Sequence, residues 1–354
     1  MKNLKQIILV VLLAVISSAE AQIVVEAGNT ESLLEAIDKA NQQNMDSAAS
    51  RLFVLIPNGV YDLGERVLTP ILGHNIALVG ESMEGVIIKN APPVENEGIS
   101  KTATLLNRGW NTYVQDLTLQ NALDFYHSGA AGRAVCWQDK GNYTIFKRVK
   151  MLSYQDTYYS HSEQCYHYFE DSEIHGTVDF LCGAGDVFFS HCLLVTEKRN
   201  LDGSGRNVIL APRTSETNYG YVFDHCTIRN DVSPFYFARG WHTQPRCAWL
   251  FTTLETPEKL LKERFDPQPL RVVNNEFFEY HTMDSEGRVI SPESNVVTYQ
   301  VKDEQNSVET ILPNAHVKRY DVKNVFPDWR PDIKTRDLEK QSARMKKKFL
   351  KAAL

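Results

Sequence analysis

The feature that most narrows what this chain can become is a short pattern that keeps returning. An aromatic residue or valine is followed by four mostly polar residues and then by an aliphatic or aromatic one. It stands at "VQDLTL" from Val114, "FKRVKM" from Phe146, "FEDSEI" from Phe169, "FSHCLL" from Phe189, "FDHCTI" from Phe223 and "VNNEFF" from Val273. Spacings of roughly 20 to 34 residues between the first five copies, with a wider gap before the last, put it in the range of repeat architectures. Each copy alternates as a strand does, and helix-forming runs between copies are few. Short strands returning after loops of variable length predict an all-β solenoid, a parallel β-helix in which each coil stacks on the one before. A β-sandwich is the rival. It calls for tight hairpin turns, and the one Asn-Gly pair, Asn58-Gly59, precedes the whole series.

The two ends read differently. "NTESLLEAIDKANQQN" places Leu33, Leu34, Ile37 and Ala40 at helical spacing after Thr30 as cap, a helix suited to closing the open end of a coil stack. "DLEKQSARMKKKFLKAAL" predicts an amphipathic helix with a basic face, packed on the protein by Leu338, Met345 and Phe349; membrane or polyanion contact is the alternative. The first residues combine a basic start, an apolar run and a small-x-small site at Ala19-Glu20-Ala21, as an export signal does. The expected organisation is a signal over 1–21, a β-helix over 22–330 and a basic tail over 331–354, in a protein exported to the periplasm or the outside. No second apolar stretch is of spanning length, so stable membrane insertion is not expected.

With 43% hydrophobic and 23% charged residues and a formal net charge of -6, the chain lacks the clustered cations that nucleic acid demands. A monomer is expected. Six cysteines in an exported chain permit disulfides without requiring them. Cys192 and Cys226 share one position in the repeat, where a disulfide and a pair of buried thiols both fit. No CxxC pair occurs, and Cys165 with His167 lacks the second spaced pair that a zinc site needs, so no metal is expected.

The stretch "HGTVDFLCGAGDVFF" reads as a buried strand with a carboxylate, Asp179, set between valine and phenylalanine. A carboxylate there must be paired, hydrogen-bonded or protonated. Asp179 stands ten residues after its anchor Phe169, and Asp156 stands ten after Phe146. If successive coils stack at the ordinary strand spacing of about 4.8 Å, equal offsets bring the two carboxylates together. Two neighbouring carboxylates cannot both ionise cheaply, so their pKa values part and the pair acquires acid and base roles. Asp124 also lies ten past Val114, in a less secure register.

Around this pair the sequence resembles the pectin methylesterases, carbohydrate esterases built on a right-handed parallel β-helix. The resemblance rests on "MLSYQDTYYSHSEQCYHYFEDSEIHGTVDFLCGAGDVFF", with "GVYD" at Gly59, "LVGES" at Leu78, "TATLLNRGWNTYVQDLTLQNA" and "YFARGW" at Tyr236 in the family's order. It covers about Ile23 to Phe278. It implies that Asp179 attacks the methyl-ester carbonyl of a galacturonate unit in homogalacturonan (pectin), while Asp156 protonates departing methanol and then activates water. Gln155 would donate to the oxyanion, and Arg239 would keep the nucleophile ionised. Tyr159 and Trp241 match the family's aromatic positions for the sugar chain; Tyr158 and Trp249 are further candidates, with packing as their other role.

Where the family has a glutamine, this chain has Arg133, which either stabilises an oxyanion or forms a salt bridge within the coil. "ARGW" replaces "GRPW", exchanging a stiff proline for glycine. No cofactor is implied, since this acyl transfer needs no metal, and there is no GxSxG elbow for a serine esterase. The other readings are a β-helical pectate lyase using calcium and an arginine base, a glycan-binding β-helix without turnover, and the same machinery acting on a different ester.

Overall fold

The computed structural model describes residues 21–352, apart from residues 130, 216, 231, 269, 273–275 and 302–303. The proposed signal and the Val273 anchor lie outside the described residues. The rest is a parallel β-helix whose strands form a 17-stranded sheet, which bends into two ladders, and a 7-stranded sheet that makes the third wall.

The first ladder shows why the repeat carries an aromatic anchor. In register, coil after coil, stand Ile23, Val54, Leu78, Val114, Phe146, Phe169, Phe189, Phe223, Trp249 and Glu279. Phe146 stacks on Phe169 at 4.2 Å between ring centroids, Phe169 on Phe189 at 4.6 Å and Phe189 on Phe223 at 4.8 Å. Each ring has the next coil's ring as its partner, so burial and offset stacking act together along the axis. The wide gap between Phe223 and Val273 holds a further coil, whose anchor is Trp249 at the head of "WLFTTL". The second ladder runs through Tyr61, Ile88, Leu119, Met151, Ile174, Leu194, Ile228 and Leu254. The third runs through Thr69, Leu105, Trp137, Tyr158, Leu181, Leu210 and Ala238.

Helix Thr30–Gln43 closes the first coils, with Leu33, Ala36, Ile37 and Ala40 in one apolar cluster with Leu52 and Val54. Its cap is Asn29, not Thr30. Asn29 is extended, and its carboxamide oxygen accepts the Ser32 N–H at 3.0 Å, which places Thr30 inside the first turn.

The C-terminal part leaves the solenoid and runs back along it. A hairpin pairs Val296–Val301 antiparallel with Glu304–Glu309, and helix Pro331–Ala352 follows. Tyr320, Phe326, Trp329, Leu338 and Met345 cover the outer face of the first ladder, where Phe53, Leu55, Ala77, Val79, Tyr113 and Ile145 point away from the coil interior. That face is a second core. The helix's basic side is partly tied down: Lys346 Nζ reaches Asp116 Oδ2 at 2.5 Å, and Arg148 bridges Asp116 and Glu339. The side chain of Phe349 lies outside the described residues. No helix among the described residues is long and apolar enough to cross a membrane.

Candidate active site

Equal offsets from Phe146 and Phe169 become neighbouring positions because these two anchors pair directly, and Tyr158 pairs with Leu181 farther along the same two coils. Asp156 and Asp179 therefore occupy one place on adjacent coils, with Asp156 N–H donating to Val178 O at 3.4 Å. Both residues have left-handed backbones, φ 60° and 53°. Aspartate visits that region more readily than most side chains, at a cost of about 1 kcal/mol each. Asp179 also lies where the pairing with the next coil shifts register, between Val178↔Val208 and Leu181↔Leu210. An extra residue of this kind re-aims a side chain out of the pleat.

Arg239 follows the third ladder's Ala238 and reaches back two coils. Its Nε donates to Asp179 Oδ1 at 2.8 Å, and its Nη2 donates to Asp179 Oδ2. This is the forked geometry that guanidinium and carboxylate share. Asp156 has no such partner; its carboxyl makes no ion pair among the described residues and adjoins the Cys182 thiol. Both carboxyls are nearly closed off from solvent, at 4% exposure for Asp156 and 6% for Asp179.

Burial pushes both pKa values up. For Asp179 the Arg239 charge and its hydrogen bonds pull back against burial. For Asp156 the Asp179 charge adds to burial, and the more distant Arg133 and Arg239 only soften it, leaving its pKa well above the ordinary carboxylate range. One carboxylate is thus favoured as the anion and its neighbour as the acid. Arg239 itself is disfavoured as a cation by burial, and Asp179 more than restores it.

Gln155 is half-buried beside Asp156, and its carboxamide makes no hydrogen bond among the described residues, so its N–H groups are available to an incoming oxygen. Arg133 resolves to a salt bridge. Its Nε and Nη2 donate to Glu97 at 2.8 and 2.6 Å, while its backbone pairs with Gln155. A guanidinium locked by a carboxylate is a poor oxyanion donor; its charge reaches Asp156 only from a distance.

Tyr159 and Trp241 lie together on the outer side of the third ladder, 6.3 Å apart, with Arg213 over the Trp241 ring at 5.7 Å. Tyr158 and Trp249 require correction. Tyr158 points inward, fully buried against Phe146 and Phe169, because side chains alternate along a strand and its neighbour Tyr159 takes the outer face. Trp249 is the first-ladder anchor of its coil, stacked on Phe223 at 3.7 Å and on Phe237 at 4.8 Å. Neither reaches the surface where a glycan could lie.

Sequence reasoning passed over several neighbours. Asp266 acts electrostatically on both Asp179 and Arg239, and the Cys182 thiol adjoins Asp156. Phe125 stacks on Tyr154 at 4.9 Å and meets Tyr126 edge-on, beside a cavity of about 390 Å³ that reaches Ser153, His175 and Glu197. Tyr154 stands directly before Gln155 and could have been found by that adjacency. Asp266 carries no periodic signal.

The match to known proteins is consistent along the chain. The family model described as Pectinesterase matches residues 22–257. "Probable pectinesterase 50" of Arabidopsis thaliana is 25% identical over 297 residues, which span 82% of this chain and 76% of that protein. "Pectinesterase 3" of Solanum lycopersicum is 27% identical over 229 residues, spanning 62% of this chain but 40% of its own length. Among solved structures, pectin methylesterase PemA from Erwinia chrysanthemi superimposes with a TM-score of 0.65 at 23% identity, covering 88% of this chain and 98% of that one. A pectin methylesterase in complex with a hexasaccharide gives 0.62 at 24% identity, covering 83% and 93%. These likenesses agree on a β-helix, and the chain belongs to the Pectinesterase family of carboxylic ester hydrolases.

Proposed function

We propose that this protein hydrolyses methyl esters of galacturonate units in pectin, with Asp179 as nucleophile and Asp156 as general acid and base. The observation that carries the reading is the unequal pair: two buried carboxyls in register, one forked to Arg239 and the other without a cation. An Asp179 oxygen attacks the ester carbon, and Gln155 donates to the oxygen that becomes negative. The bond to the methoxy oxygen breaks as Asp156 gives it a proton, and methanol leaves an anhydride between Asp179 and the uronate. Water then attacks the uronate carbonyl, Asp156 takes its proton, and Asp179 departs as a carboxylate. Water and ester are consumed; methanol and a free uronate appear.

Trp241, half-buried and backed by the buried Tyr159 ring, supplies the flat apolar surface on which sugar rings pack. An exported protein fits such a polymeric substrate. The direct test is methanol release from highly methylated pectin by the full chain. The expected result is methanol without an ultraviolet-absorbing unsaturated product and without acetate release from acetylated pectin. An unsaturated product would point to a lyase, acetate to a different ester, and no product at all would overturn the esterase reading.

A further inference from the structure

Cys182 stands one residue beyond Leu181 on the third ladder, where it pairs with Tyr159 on the coil before and Ala211 on the coil after. Its side chain takes the outer side of that wall and is closed over at 1% exposure, in one apolar cluster with Val135, Tyr159 and Ala211. The backbone is pinned, because the buried Tyr221 hydroxyl donates to Cys182 O at 2.7 Å. The thiol has two polar neighbours. Its S–H donates to Tyr158 O at 3.5 Å, and its sulfur is within hydrogen-bonding reach of the Asp156 carboxyl, which has no ion-pair partner among the described residues.

Burial, with the Asp156 and Asp179 charges nearby, pushes the thiol pKa well above its ordinary range, so the group stays S–H and is no nucleophile. A thiol is a weak donor and a weak acceptor, and one bond rotation exchanges the two. Asp156 needs both in turn. As an acid its O–H requires an acceptor, and as the anion left after proton transfer it requires a donor. We propose that Cys182 is a positioning residue for Asp156: the sulfur accepts from the protonated carboxyl, and the S–H swings from Tyr158 O to the carboxylate once the carboxyl proton has gone to the leaving methoxy oxygen. The thiol keeps its own proton throughout. The inference rests on the reading of Asp156 as general acid and base, and deepens it by naming what holds that carboxyl in both charge states. Serine in its place would favour the anion more strongly, and alanine would serve neither form.

The test compares the native full chain with Cys182→Ala and Cys182→Ser, after thermal melts confirm that all three are folded. Asp179, Glu97, Arg133 and Arg239 act on Asp156, and Arg213, Tyr159 and Tyr221 interact with the thiol; both variants keep all of them. On methylated pectin, Cys182→Ala should lower kcat about fivefold with KM changed by less than about twofold. Its basic limb should move up by about half a pH unit, because the anion loses its donor, and that of Cys182→Ser should move down by about as much. A second readout needs no turnover. The S–H stretching band that disappears from the infrared spectrum in Cys182→Ala should fall in frequency as pH rises through the Asp156 titration in the native chain, and hold still in Asp156→Asn. Basic limbs that coincide in all three proteins, or a band that ignores pH or shifts equally in Asp156→Asn, would overturn the proposal. The two readings fail separately: a responsive band without methanol release removes the esterase chemistry and leaves the contact, while methanol release with an unresponsive band removes the role of Cys182 alone.

Discussion

Asp116 and Asp179 are two aspartates in the same backbone conformation, φ 54° and 53°, each at a corner of a stacked coil and each facing arginine. Their surroundings then diverge. Asp116 is held by Arg148, by Lys346 from the C-terminal helix and by the Gln115 carboxamide; burial pushes its pKa up, and these partners more than reverse that, leaving it below the ordinary range. Asp179 is more deeply enclosed, has one arginine and faces a second carboxyl, so its pKa stays above the ordinary range. A left-handed corner thus serves as a structural clasp or, on the proposed mechanism, as a reactive group, according to the number of cations per carboxylate. A surplus of cations silences the acid; a shortage leaves a proton to be moved.

The comparison is broken most severely at the proposed nucleophile. Asp179→Asn should lower kcat for methanol release by about a thousandfold or more, while Asp116→Asn changes kcat by less than about threefold, as initial rates on methylated pectin would show. Loss of equal size from both would erase the distinction. Arg239→Gln comes next, with a fall of about a hundredfold in kcat/KM. Removing the cation lets burial act on Asp179 unopposed, so its pKa climbs and the acidic limb of the pH profile moves to higher pH. On the proposed mechanism the basic limb belongs to Asp156, which must hold its proton to release methanol. A hundredfold loss with an unmoved acidic limb would mean that Arg239 acts otherwise than on the nucleophile's charge.

Stability gives the smaller effects. Asp116→Asn removes the carboxylate that Arg148 and Lys346 share, leaving Arg148 on Glu339, and should cost about 2 kcal/mol in urea unfolding, less at high salt because the cluster is partly exposed. Asp156→Asn should act in the opposite sense. A carboxyl whose folded pKa is raised contributes stability at pH below its unfolded value and loses it as pH rises through the folded one. Asparagine cannot ionise, so the variant should gain about 1 kcal/mol over wild type at alkaline pH, with no gain in acid, as thermal melts across pH would read.

Much of this was legible in the sequence because a solenoid converts spacing into contact. Phe146, Phe169, Phe189 and Phe223 mark coils, and counting ten residues from two of them finds the carboxyl pair. The first coils were harder to read. "LFVLI" and "IALVG" are apolar throughout because the C-terminal segment covers their outer face, which removes the polar alternation. The orientation of Tyr158 and Trp249 depends on parity within a strand, and parity is reset at every corner where a residue turns left-handed. The partner of Arg133, Glu97, is set by a loop whose path no periodicity encodes.

One consequence of stacking by neighbours concerns length. The distance between Asp156 and Asp179 is governed by the chain between Phe146 and Asp179 alone, with the adjoining coils acting only as support. Several residues added to the turn after Lys198 would reshape the groove and leave the chemistry in step. A single residue deleted between Phe146 and Asp156 would put the proton donor on the wrong side of the wall, in a protein that still winds its coils.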